Sequence, residues 1–481
     1  MMKRILALIL CLAIFAVIPA CKPDNIQAPA DIVTPEEQAA LEKENESQKP
    51  TVTPLEKEEE PQEEIPEEKP EEPKVLSPLA AEDFEPSATI ASTLPLSGMI
   101  KPSDTVSLLK NRTITFYTAD DKAAFTYQDE DGKAINEIEW MKALAEENGF
   151  LLKVQVVPAA RSVTTQRLAL MAGKDLSLIQ LDSSDLASGL TLCSSFKDLI
   201  QEEITSFGVS NTVLTQSDYK LMAPLGMVES IWYDSELFEE DQSPADLQEK
   251  DNWLMDGFRL LCESMVEKKV QPLSMQSALP FATLSGKSPI TLKEGKLDTN
   301  INSIGSKKVW SALQEMNKEI PTLIKDEDLT YSLAKGTLAM EYTAHPVPSE
   351  NQTLQFAPLP ALEKEIGSAV TFSGTFFGLP KYEESESNRL AALTFAELWC
   401  NRYTEARAAE LQSFGIKGES YQAYLQMAEE QGMLILYNST IQEMVAPYLK
   451  GLTDESVNMS ATYSGIIQKL YAYVATQNIY Y

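Results

Sequence analysis

The sequence predicts an α/β body, in which parallel strands are joined by helical crossovers, beginning near residue 112. Three observations predict it. Strand-like and helix-like hydropathy periods alternate from that point onward. Hydrophobic residues make up 43% of the 481-residue chain, enough for a large core. A Pro- and Glu-rich stretch of different composition comes before this region and stops short of it.

Residues 1–20 read as an export signal. Lys3 and Arg4 supply a positive start, and Ile5 to Ile18 form an apolar run too short to span a bilayer. The run ends in Ile18-Pro19-Ala20-Cys21, which resembles the bacterial lipoprotein box. That resemblance implies a lipidated Cys21 as the mature N-terminus. Residues 21–111 follow as a disordered acidic tether. Between residues 22 and 86 there are 20 Asp+Glu against 6 Lys+Arg, with 11 of the 27 prolines. Such a segment cannot bury enough apolar surface to offset the entropy of ordering. Its proline and like charges keep it extended, as a spacer off a membrane would be.

The body opens with Ile114-Thr115-Phe116-Tyr117, which alternates as a strand. Ile135, Ile138, Met141, Leu144 and Ala145 then recur at helical spacing, and Asn148-Gly149 ends that helix. Val154 to Val157 forms a second strand. Thr164 to Ala172 is a helix closed by Gly173, and Leu178 to Leu181 a third strand. Three strands joined by two helices imply a parallel sheet, whose ligands bind beyond the carboxyl ends of the strands. Those ends are Thr118 to Lys122 and Asp182 to Asp185.

At this point the residues carry a resemblance. The run from Lys153 to Leu199, with its Gln166-Arg167-Leu168 helix and a strand ending in Asp182-Ser183, resembles the first lobe of family 1 bacterial extracellular solute-binding proteins. These are the maltose-binding-like receptors of ABC importers. Tyr219 to Phe238, with Tyr233-Asp234 and Leu237-Phe238, resembles the strand by which that family crosses between lobes. Tyr331 to Tyr342, Phe356 to Pro360, Gly374 to Pro380 and the helix Asn388 to Cys400 match further family segments in order. The resemblance implies a two-lobed periplasmic-binding-protein-like (type II) α/β fold with a hinge. The first lobe would be 112–223 plus 346–413 and the second 224–345 plus 414–481, with crossings near Pro224, His345-Pro346 and Gly415. It also implies a small-molecule solute, carbohydrate first, an ABC permease as partner, and a monomer lipid-anchored at the extracellular face of the cell membrane.

Candidate ligand contacts follow. Asp121 and Lys122 lie in a turn that touches ligand in maltose-binding relatives. Asp182, Ser183 and Ser184 follow the third strand, where they either face a cleft or cap the next helix. Glu229 lies two residues beyond Met227, which aligns with an acid of the relatives. Tyr342 and Thr343 end the second expected crossing. Ser373, Thr375 and Phe376 flank Gly374, which permits close backbone approach. All five Trp read as structural, leaving Tyr342, Phe376 and Phe281 as candidate platforms for a sugar ring.

Charge and composition exclude other classes. The net charge of −32 opposes nucleic acid, whose phosphates are met by Lys and Arg. A single histidine, His345, removes His-rich metal sites and reads as a hinge or surface residue. Cys193, Cys262 and Cys400 show no metal-ligand spacing and read as isolated buried thiols. No cofactor is expected. Two competing readings remain. One is a sensory or adhesive module on the same fold. The other is a hydrolase using Asp121 and Asp182 as paired acids.

Overall fold

The computed structural model describes residues 112–477 apart from 119–122, 129–133, 159–160, 201–207, 276–278, 294, 320–330, 349–353, 365–366, 383–384, 417, 437–439, 442 and 446–458. The expected signal, Cys21, the tether, Asp121 and Lys122 lie outside the described residues.

The chain opens with β1 (Thr113–Thr118), a hairpin of β2 (Ala123–Gln128) and β3 (Ala134–Asn136), helix α1 (Glu137–Glu147), β4 (Leu151–Val156), α2 (Ser162–Met171) and β5 (Ile179–Asp182). Helix α1 buries Ile138, Met141, Leu144 and Ala145 on one face. Gly149 (φ 76°) and Gly173 (φ 65°) close α1 and α2 in left-handed conformation. In each case the next amide reaches back five residues: Phe150 N–H to Ala145 O at 2.8 Å, and Lys174 N–H to Ala169 O at 3.0 Å. The two helical stops read from the sequence are therefore the same capping device.

The middle of the chain runs through β6 (Cys193–Ser194), α3 (Asn211–Gln216), β7 (Val228–Asp234), α4 (Pro244–Glu249), α5 (Met255–Glu267), β8 (Gln271–Met275), a hairpin of β9 (Ile290–Lys293) and β10 (Lys296–Thr299), α6 (Ile304–Glu319) and β11 (Leu338–Thr343). Ser243 and Asp246 form a reciprocal capping box at the start of α4, with Pro244 in its first turn. The remainder is β12 (Leu354–Ala357), β13 (Val370–Phe372), β14 (Thr375–Pro380), the long α7 (Glu386–Ser413), α8 (Glu419–Gln431), β15 (Gly432–Met433) and α9 (Met459–Gln477).

Two sheets result. In the first, β1 and β4 pair in parallel, with Phe116 opposite Val154. The approach to β5 joins them through the Ser177 N–H, which donates to Thr115 O at 2.9 Å. Strand β14 then runs antiparallel between β5 and β6. Helix α7 covers this sheet, and Phe395 and Trp399 meet Phe116, Phe377 and Trp140 in a cluster of rings; Trp140 and Trp399 stand 4.6 Å apart. The second sheet has the order β15-β13-β7-β11-β8, with β12 also on β7. Its core holds Trp232, Phe356 and Tyr424, and a second group of Trp253, Phe258 and Phe281. Cys193, Cys262 and Cys400 are buried free thiols.

The route between the sheets differs from the sequence expectation. A return near His345-Pro346 would have placed β12 and β13 with the first sheet. Instead β12 pairs with β7, Phe356 opposite Trp232, and β13 pairs with β7 as well, Thr371 opposite Glu229. The chain enters the first sheet only at Thr375, opposite Asp182. The physical reason lies in β7. One of its edges is taken by β11, and the backbone groups of its other edge need partners, which β12 and β13 supply. Beyond Gly415 (φ 88°) the chain reaches β15, which pairs with β13.

Candidate functional site

Three segments meet where the sheets join: residues 227–229 leading out along β7, residues 371–375 leading back, and the end of β5. Main-chain bonds tie them together. The Ser373 N–H donates to Met227 O at 3.2 Å, and the Ser183 N–H donates to Gly374 O at 3.0 Å. Gly374 is required here. Its φ is 112°, and a Cβ at this position would stand 2.5 Å from Met227 Sδ. The same sulfur accepts the Thr375 N–H at 3.1 Å. Met227, which aligns with an acid of the resembling family, thus acts as an apolar plug between the two passing segments.

Glu229 projects from β7 beside this plug. Thr371 Oγ1 donates to Glu229 Oε2 at 3.0 Å, and the Tyr342 hydroxyl lies 2.7 Å from Thr371 Oγ1. A threonine hydroxyl has one proton, so with Glu229 ionised the Tyr342 phenol is the donor and the relay runs from Tyr342 through Thr371 to Glu229. The Glu229 residue keeps some solvent contact, while its carboxyl group is enclosed. Burial raises its pKa, opposed by hydrogen bonds from Thr371 and Ser373. Thr375 is buried, and its hydroxyl donates to Glu137 Oε1 at 2.9 Å, linking this floor to the first residue of α1.

Beyond β5, Asp182 and Ser183 are partly exposed and Ser184 is exposed. Asp185 has a pKa pushed up to about 6, first by burial and then by the charge of Asp182. The described ends of the short helical turns here carry no side-chain caps from Asp182 or Asp185.

The placement of the sequence candidates is uneven. Asp182, Ser183, Glu229, Tyr342, Ser373 and Thr375 converge on this junction. Thr343 sits at its edge, and its carbonyl accepts the Trp232 indole N–H at 3.0 Å. Phe376 faces the core, fully buried, and Phe281 is equally buried in the second sheet's core. Tyr342 is 4% exposed, with its hydroxyl engaged in the relay. None of the three candidate platforms offers a ring face in this conformation. Thr371 and Glu137 were missed, since an isolated Thr in a strand and a Glu opening a helix carry no sequence signal of a site. Among the described residues no group of three metal-ligating side chains comes together.

No protein-family model matches the sequence, and no curated protein matches it. Solved structures do. The cyclic α-maltosyl-1,6-maltose binding protein from Arthrobacter globiformis superposes with a TM-score of 0.54 at 12% identity, covering 76% of this chain and 99% of that one. A cyclo/maltodextrin-binding protein complexed with maltotetraose gives 0.51 at 12% identity, covering 76% and 98%. The sugar-binding protein MalE from Xanthomonas citri gives 0.50 at 13% identity, again covering 76% and 98%. All three are named as sugar- or maltodextrin-binding proteins, and the chain has their periplasmic-binding-protein-like α/β fold.

Proposed function

We propose that this protein is an extracellular solute receptor, not an enzyme, which takes a hydroxyl-rich solute between its two lobes and hands it to an ABC permease. One observation carries the reading. On a fold whose solved neighbours bind malto-oligosaccharides, hydroxyl and carboxyl groups from those three segments and from Tyr342 on β11 converge where the lobes join. Glu229, Thr371, Tyr342, Ser373, Asp182, Ser183 and Ser184 form the proposed contact set, with Asp121 and Lys122 as candidates outside the described residues. Carboxylates accept hydroxyl hydrogen bonds that are charge-assisted and stronger than neutral ones. The lobes are proposed as 112–223 plus 375–413, and 224–374 plus 414–481. The chain is further proposed to be monomeric and held at the membrane through lipid on Cys21, with the acidic segment as spacer.

The test is a thermal-shift screen against maltotetraose, a cyclic malto-oligosaccharide, a linear polyol, amino acids and polyamines. The reading expects Tm to rise with one class of hydroxyl-rich solute, following its concentration over Kd. Glu229→Gln and Thr371→Val should each weaken that response. No response to any carbohydrate or polyol, with a response to amino acids or polyamines, would move the ligand to another class.

A further inference from the structure

Helix α7 belongs to the first lobe through its N-terminal half, where Phe395 and Trp399 pack on that sheet. Its C-terminal half does something else. Arg407 is 1% exposed and Glu410 0%, an unusual depth for a charged pair. The Arg407 guanidinium donates through Nη1 to Glu410 Oε2 and through Nη2 to the carbonyl of Ala344, just past the end of β11. It also lies 5.8 Å from the ring centre of Trp232, on β7. One side chain of the first lobe thus grips two strands of the second.

The surroundings repeat the pattern. Gly226, in the outgoing crossing, is pressed against α7 so closely that a Cβ there would meet Arg407 Cβ at 3.3 Å and Thr404 Cα at 3.5 Å. Its N–H donates to Thr404 Oγ1 at 3.3 Å. From α8, the Tyr421 hydroxyl donates to Thr404 O at 2.7 Å, and Tyr424 reaches Gly226 O and Val228 O, each at 3.3 Å. His345 follows Ala344. Its Nδ1 stands 3.3 Å from Arg407 Nη1 and 3.5 Å from Glu410 Oε2, and its Nε2 stands 3.4 Å from the Tyr403 hydroxyl.

We infer that the Arg407–Glu410 pair is the fixed pivot of the hinge, holding residues 226–228 and 344–345 to α7 while the lobes close. A hydrophobic pair of the same volume could fill this space, but it would not dictate direction. The planar fork of an arginine, with one branch on a carboxylate and one on a main-chain carbonyl, allows a single orientation of the second lobe against the helix. A buried charge pair is also costly to separate, so this contact stays closed while less constrained ones open. The inference rests on the proposal that the two lobes close on one another.

The test is amide hydrogen exchange on the full chain without solute, comparing wild type with the double variant Arg407→Met, Glu410→Leu, which leaves no buried charge orphaned. Exchange at 226–230 and 342–345 is expected to accelerate at least tenfold, while β1, β5 and β8 keep their protection. Unchanged exchange at the crossings would overturn the pivot, and so would uniform acceleration in every strand, which marks the pair as a plain stability element. Should the double variant not fold, His345→Gln, at a side chain 35% exposed, replaces it. About threefold acceleration confined to the same segments is then expected, and none would overturn the inference. Because no solute is present, a failed solute screen leaves this outcome standing.

Discussion

Glu229 and Glu410 are two enclosed carboxyl groups beside the same crossing strand, and they are satisfied in opposite ways. Glu229 is met by the hydroxyl of Thr371, itself linked to Tyr342. Glu410 is met by the guanidinium of Arg407. A hydroxyl partner can rotate, reverse its donor role or yield to the hydroxyl of a solute. A guanidinium in a dry interior can do none of these without leaving a charge uncovered. The first environment suits a surface that must exchange partners, and the second a point that must not move.

The largest effect should come from breaking the fixed pair. Glu410→Gln strands the Arg407 charge and is expected to cost about 3–5 kcal/mol in urea unfolding. A loss below about 1 kcal/mol would remove the contrast with Glu229. Next comes the return segment. Gly374→Ala combines strain at a left-handed φ with a clash on Met227, and about 2–4 kcal/mol is expected. In a double-mutant cycle with Met227→Ala, which carries its own cavity cost, the coupling should equal the clash portion only. Thr371→Val deprives Glu229 and Tyr342 of their shared partner, for about 1–2 kcal/mol of stability at neutral pH.

A smaller effect concerns pH. Asp185 has its carboxyl pKa raised from 3.8 to about 6 in the folded state. The folded state therefore holds its proton more tightly than the unfolded one, so this group contributes stability below about pH 4 that is lost as pH rises through about 6. Asp185→Asn should flatten that slope, read as the pH dependence of Tm between 4 and 7. Smallest is Lys364→Met. The Lys364–Asp251 pair is open to solvent on both sides, so its loss should stay within about 0.5 kcal/mol.

The first lobe was readable because its code is local. The spacing of Ile138, Met141 and Leu144 and the stops at Gly149 and Gly173 depend on residues a few positions apart. The return crossing was not readable in the same way. His345-Pro346 carries the local marks of a break, and the chain does turn there, but the edge of β7 more than a hundred residues earlier decides where it goes next. Of the site, Glu229, Tyr342 and Ser373 were reachable through their position on crossing segments. Arg407 and Glu410 were not, because a charged pair three apart on a helix normally marks a solvated face. Only the tertiary packing of α7, buried on nearly every side, reverses that meaning.

Strand β14 has a consequence for the order of assembly. Its antiparallel place between β5 and β6 joins residues as far apart as Ser194 and Pro380, 186 positions along the chain. The first sheet therefore cannot be completed until the intervening residues 224–374 have been synthesised. Long-range pairing of this kind is slow to form. A nascent chain that ends before Thr375 would hold β5 without the antiparallel partner that β14 supplies.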